Sequence, residues 1–176
     1  MLKSNSDEEI NVPSLSAFAA ADKIPIDDPN GDYKKQISQA INHLCELKGV
    51  GPATASALLS LYAPENFAFM DDEVIECLYD GKRGYTLKIY LELNQKCREI
   101  AGELNTAMGT YLEWTSARVG KALWTVATMA ATNDQERLSA ILDRDDVVDT
   151  NLVRYSDSNE ENICRSLMSG KRAKKG

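Results

Sequence analysis

Histidine and cysteine are scarce in this 176-residue chain: one histidine, His43, and four cysteines, Cys45, Cys77, Cys97 and Cys164, set far apart within helical patterns. Zinc ligands come in closely spaced pairs, so no metal site is recognisable. The cysteines read as buried or reduced thiols rather than a disulfide framework. No run of about 18 apolar residues is present and no signal peptide opens the chain, which predicts a soluble, intracellular protein with no membrane partner. No segment reads convincingly as a strand, and no repeat of roughly 20–50 residues is visible. No motif calls for a cofactor.

Excess positive charge is also missing. The net charge is −7, which argues against a protein that coats nucleic acid, because non-specific affinity comes mainly from Lys and Arg neutralising phosphates. The charge is uneven, however. Residues 1–31 hold two basic and six acidic side chains, residues 32–121 ten and twelve, residues 122–169 four and nine, and residues 170–176 four basic and none acidic. The middle of the chain is therefore near neutral, and the acidity lies in its flanks.

What is present is helical patterning around one glycine-punctuated turn. Residues 47–62 read Leu-Lys-Gly-Val-Gly-Pro-Ala-Thr-Ala-Ser-Ala-Leu-Leu-Ser-Leu-Tyr. Gly49 and Gly51 separate two helical patterns, so the chain turns tightly there, and positive φ is expected at Gly51. Pro52 suits the first turn of the second helix, where its missing N–H costs nothing, and Ala53, Ala55 and Ala57 favour helix. The result is a helix-hairpin-helix. Its amides at Val50, Gly51, Ala53 and Thr54 lie near a positive helix N-terminus, a place for a phosphate oxygen, with Lys48 as the adjacent cation.

Around the hairpin, Ser6 is expected to cap a short turn and Ser14 to open a separate two-turn helix ending near Ala21. Residues 24–31 are a loop by their breakers. Asp32 caps a helix to about Leu47, with Ile37, Ala40, Ile41, Leu44 and Cys45 on one face. Phe67, Phe69 and Met70 are apolar anchors in the next loop, and Asp71 or Asp72 caps a short helix to about Tyr79. Thr86 opens a long helix to about Leu104, with Ile89, Leu93, Cys97, Ile100, Ala101 and Leu104 inward. Thr115 or Ser116 caps another from Ala117 to Ala131, in which Trp124 is expected to be buried while Trp114 can be exposed. A short helix follows at 135–142, and 143–176 form a mostly disordered acidic tail ending in a basic cluster. The class is all-α, in three parts: an arm over 1–31, the hairpin domain over 32–142 and the tail.

The hairpin resembles that of the DNA glycosylase superfamily, whose members carry Leu-Pro-Gly-(Val/Ile)-Gly, then Thr-Ala, then a catalytic aspartate further on. Gly49, Val50, Gly51, Thr54 and Ala55 match, and Asp71 takes the aspartate's position, with Asp72 as the second candidate. Over a wider span the chain is similar to a set of little-characterised eukaryotic proteins with such a hairpin. The resemblance implies a helical bundle related to the glycosylase helical domain but truncated at the N-terminus, since only 48 residues precede Gly49. It also implies base flipping and an aspartate acting on the glycosidic bond, in a pocket lined by Tyr62, Phe67, Phe69 and Tyr85. Two features depart from it. The lysine that forms a Schiff base in bifunctional members matches Ala53, and the cysteine quartet of iron–sulfur members is absent.

Each feature also has a plainer reading. Asp71 and Asp72 precede a helix, where aspartate commonly caps, and with Glu73 and Glu76 they repel phosphate unless Lys48, Lys82 or Arg83 offset them. The hairpin can serve packing alone, and the terminal Lys/Arg cluster can be a nuclear signal, a phosphate-binding tail or a solvated end. Three functions follow: a non-catalytic DNA-binding module, a protein-interaction or scaffold component of a nuclear complex, and a monofunctional DNA glycosylase. The expected location is nuclear, otherwise cytoplasmic.

Overall fold

The computed structural model describes residues 5–26, 32–79, 83–110 and 113–132. Among them the secondary structure is all α, with no strand: α1 Asp7–Ala21, α2 Tyr33–Cys45, α3 Pro52–Tyr62, α4 Asp72–Leu78, α5 Leu87–Met108 and α6 Ser116–Ala131. The chain divides into two compact units, one of residues 1–71 with 84–121 and the other of residues 72–83 with 122–176. The expected helix at 135–142, the tail and its basic cluster lie outside the described residues.

In the first unit α1 lies chiefly against α2, which also meets α3 and α5. Ile37, Ala40, Ile41 and Leu44 of α2 are buried with Ala55 and Leu59 of α3 and Tyr90, Leu93, Cys97 and Ala101 of α5. The predicted face of α2 is thus largely correct, although Cys45 is only half-buried. Burial pushes the Cys97 thiol up to about 12 and raises that of Cys45, so both stay protonated. Cys77 is disulfide-bonded, which corrects the expectation of reduced thiols throughout.

α1 is one helix rather than a turn and a separate helix. Ser6 and Glu9 form a capping box at its start, Glu9 N–H donating to Ser6 Oγ at 3.2 Å and Ser6 N–H to Glu9 Oε2 at 2.8 Å. Pro13 stands inside it without ending it. Its ring accepts helical φ and removes one backbone bond, while burial of Ala17 and Ala21 holds the following turns. Asp32 makes no side-chain cap to α2 and instead pairs with Lys35 at 3.5 Å.

Thr86 caps α5 as expected, its side chain accepting from Ile89 N–H. The helix runs a turn past Leu104 because Gly109 takes φ +64 and closes it, with Thr110 N–H reaching Asn105 O at 2.9 Å. Ile89, Ile100 and Leu104 are only half-buried, while Tyr90 and Asn94 face inward. At α6 the cap is Thr115, whose Oγ1 accepts from Arg118 N–H at 3.2 Å. Trp124 is 43% exposed rather than buried; it lies a third of a turn from the buried Leu123. Trp114 is half-buried, with Arg118 4.7 Å over its ring.

Candidate nucleic-acid interface

The turn between α2 and α3 is built from buried Leu47 outward. Gly49 takes φ +82, a left-handed conformation that an L side chain resists, and Val50 N–H folds back to Leu47 O at 3.1 Å. Gly51 has φ −110 and ψ −179, which is ordinary extended backbone, and a Cβ there would meet nothing within 4 Å. The expected positive φ at Gly51 is therefore corrected to Gly49. Proline supplies the reason: the residue before it is pushed into extended geometry.

Pro52 opens α3 at its first turn, and the first helical bond is Ala55 N–H to Gly51 O at 2.9 Å. Gly51, as the cap, has no side chain to offer. Among the described residues, the N–H groups of Gly51, Ala53 and Thr54 make no hydrogen bond, and Thr54 is exposed. These are the donors at the start of α3, and the Gly49 N–H before them is likewise without a bond. Val50 is corrected as an open donor, because its amide is taken up within the turn.

Lys48 is engaged rather than open. Its ammonium pairs with Glu9 at 2.6 Å, and Asn5 brackets its backbone, donating to its carbonyl at 3.2 Å and accepting its N–H at 3.0 Å. The Lys48 contact, with the Ser6 N–H behind it, holds the Glu9 carboxyl down to about 2. Ser6 and Glu9 are visible in the sequence as a capping pair, but nothing in it signals that Glu9 meets a residue 39 positions away.

The loop after α3 is held differently. Asn94 of α5 accepts Ala68 N–H at 2.7 Å and donates to Asn66 O at 2.8 Å and to Tyr33 OH at 3.0 Å. Tyr33 OH donates to Asn66 O at 2.7 Å, and Ser56 Oγ accepts Met70 N–H at 2.9 Å while donating to Ala53 O at 2.8 Å. Pro64 O and Glu65 O receive the first amides of α6 at 3.0 and 3.5 Å. Phe67 and Met70 are buried anchors as predicted, whereas Phe69 is 41% exposed.

These positions do not make the expected base pocket. Phe67 belongs to the core at 0% exposure, and Tyr62 turns to α1, stacking on Phe18 at 4.3 Å and donating to Asp22. Tyr85 is exposed. Asp71 is half-buried at the end of this loop. Asp72 opens α4 in the second unit, where Arg83 pairs with it at 2.9 Å and also with Glu76. Lys82 lies outside the described residues.

No family model, curated protein or solved structure matches this chain. Among the described residues no three His, Cys, Asp or Glu side chains gather as a metal site needs, and no helix is long and apolar enough to cross a membrane. A groove of about 630 Å³ lies between α1 and α2, bordered by Lys23, Gln36, Asn42 and His43 among others and by no hairpin residue.

Proposed function

We propose that this chain is a DNA-binding module of the nucleus that grips the sugar–phosphate backbone through its hairpin, without reading sequence and without catalysing a reaction. The observation that carries this reading is the set of open N–H groups at Gly51, Ala53 and Thr54 on an N-terminus with no capping side chain. Such a group of donors, at the positive end of a helix, suits a phosphate oxygen and is indifferent to the base attached. Lys48 stands beside it. Catalysis is disfavoured because Ala53 occupies the Schiff-base position and the Asp72 carboxylate is paired with Arg83. Asp71 remains the residue on which a monofunctional glycosylase would depend.

The test is titration of labelled duplex and single-stranded DNA at low salt, followed by fluorescence anisotropy. Thr54→Glu puts a carboxylate in the first turn, where it favours the helix and repels phosphate. It should abolish binding while melting no earlier than wild type. The log–log salt slope should be no steeper than about −2, since amides release no counterions.

A second reading, a protein-interaction or scaffold component of a nuclear complex, is favoured by apolar side chains left in solvent. Leu61 is 76% and Leu15 67% exposed, and Leu58 and Tyr62 adjoin Leu61 on α3. Undetectable DNA binding by wild type would leave this reading in place.

A further inference from the structure

Three polar contacts converge on Lys48 from the start of α1, all at exposed positions. Asn5 pairs with both the N–H and the carbonyl of the Lys48 backbone, and Glu9 takes its ammonium. The second Glu9 oxygen accepts Ser6 N–H at 2.8 Å, so the capping box fixes the carboxylate that meets the lysine. Residues 6–12 are exposed, and the buried residues of α1, Ala17 and Ala21, come later. Pro13 stands between the two halves and has no N–H to give the Glu9 carbonyl, so the helix is weakest at their junction.

We propose that residues 5–9 are an autoinhibitory latch that holds Lys48 on Glu9 and so withholds it from the hairpin's open amides. This rests on the hairpin reading above and adds its regulation. In the closed state a lysine three positions from the open Gly51 amide is neutralised by a carboxylate, and the turn that supplies it also carries Asp7 and Glu8. Opening removes acid from the hairpin and returns a cation to it. Both partners are about half in water, 53% for Lys48 and 46% for Glu9, so a phosphate can compete for the ammonium. The front half of α1 can leave without exposing core, because it buries none.

The full chain is compared with its Glu9→Gln and Asn5→Ala variants by two readouts. Glutamine at this position still supports the capping box, so α1 keeps its start. Acylation of amines by a water-soluble active ester, read by mass spectrometry, should be slower at Lys48 than at the exposed Lys34 and Lys88. It should speed up at Lys48 alone in both variants. Anisotropy with duplex DNA should show Glu9→Gln binding more tightly, by up to about fivefold, the range an exposed ion pair covers. Its salt slope should steepen by about 0.9, for one more phosphate neutralised. If wild type binds DNA and Glu9→Gln binds no tighter, or Lys48 acylates at one rate in all three proteins, the latch is overturned and the hairpin reading stands. If none of the three binds DNA, the inhibitory role falls together with the hairpin reading.

Discussion

Two turns follow one another in the first unit, and the protein treats their backbones in opposite ways. In the 47–54 turn the N–H groups of Gly49, Gly51, Ala53 and Thr54 make no hydrogen bond within the described residues, and the contacts that steady the turn from the start of α1 are polar and exposed. In the 63–71 loop the backbone is bonded by buried side chains of Asn94, Ser56, Tyr33 and Tyr90. A buried polar group without a partner is costly, whereas an exposed one is satisfied by water. The first turn leaves these donors without a protein partner among the described residues. The second is built to stay where it is, although the glycosylase resemblance assigns it the catalytic aspartate.

The largest effect should come from breaking the second turn. Asn94→Leu keeps the branched outline of the side chain but strands Ala68 N–H and takes one donor each from Asn66 O and Tyr33 OH, all buried. Loss of about 3 kcal/mol or more is expected, since each stranded buried group costs about 1–3 kcal/mol. Chemical denaturation measures it. A loss below 1 kcal/mol would mean that the loop is held by Phe67 and Met70 alone.

Within the hairpin the two glycines should separate. Gly49→Val forces a β-branched residue to φ +82 and should cost about 1–3 kcal/mol. Gly51→Val, in extended backbone with open space for a side chain, should cost no more than about 1 kcal/mol, the penalty of a poor cap residue. Equal losses in thermal melts would erase the distinction drawn between them.

Legibility in the sequence followed the range of the interactions. A glycine turn between α2 and α3, Pro52 at the first turn of α3, the Thr86 cap and most of the inward face of α2 are local patterns, and each is seen. Which glycine is left-handed was also legible in principle, because Pro52 constrains Gly51. The partners of Asn94 lie 26, 28 and 61 positions away, and a lone polar residue on an apolar helix face announces no partners. Lys48 reads as a free cation for the same reason. Its carboxylate is supplied by the front of a helix that the sequence reading splits before Ser14, whereas the structure runs α1 unbroken through Pro13.

The smallest effect is the dependence of the two turns on acid, and it sharpens the comparison most directly. The bonds around Asn94 and Ser56 join amides and hydroxyls that do not titrate in acid. The hold on the hairpin includes a carboxylate, Glu9, whose pKa is lowered to about 2 from its ordinary 4.5, so folding favours its ionised form. The sign follows from that direction: the contribution is fully present above pH 4.5 and is lost as pH falls through about 2. Because the pair is exposed, the change should be local rather than global. Amide NMR from pH 6 to 2 reports both turns at once. The Lys48 and Glu9 resonances should move with a midpoint below 4.5, while those of Ala68 and Met70 stay fixed until the whole unit unfolds. A Glu9 midpoint at its ordinary value would show that Lys48 is not held by it in solution. The hairpin would then keep its nearest cation free at every pH, and residues 5–9 would have nothing to release.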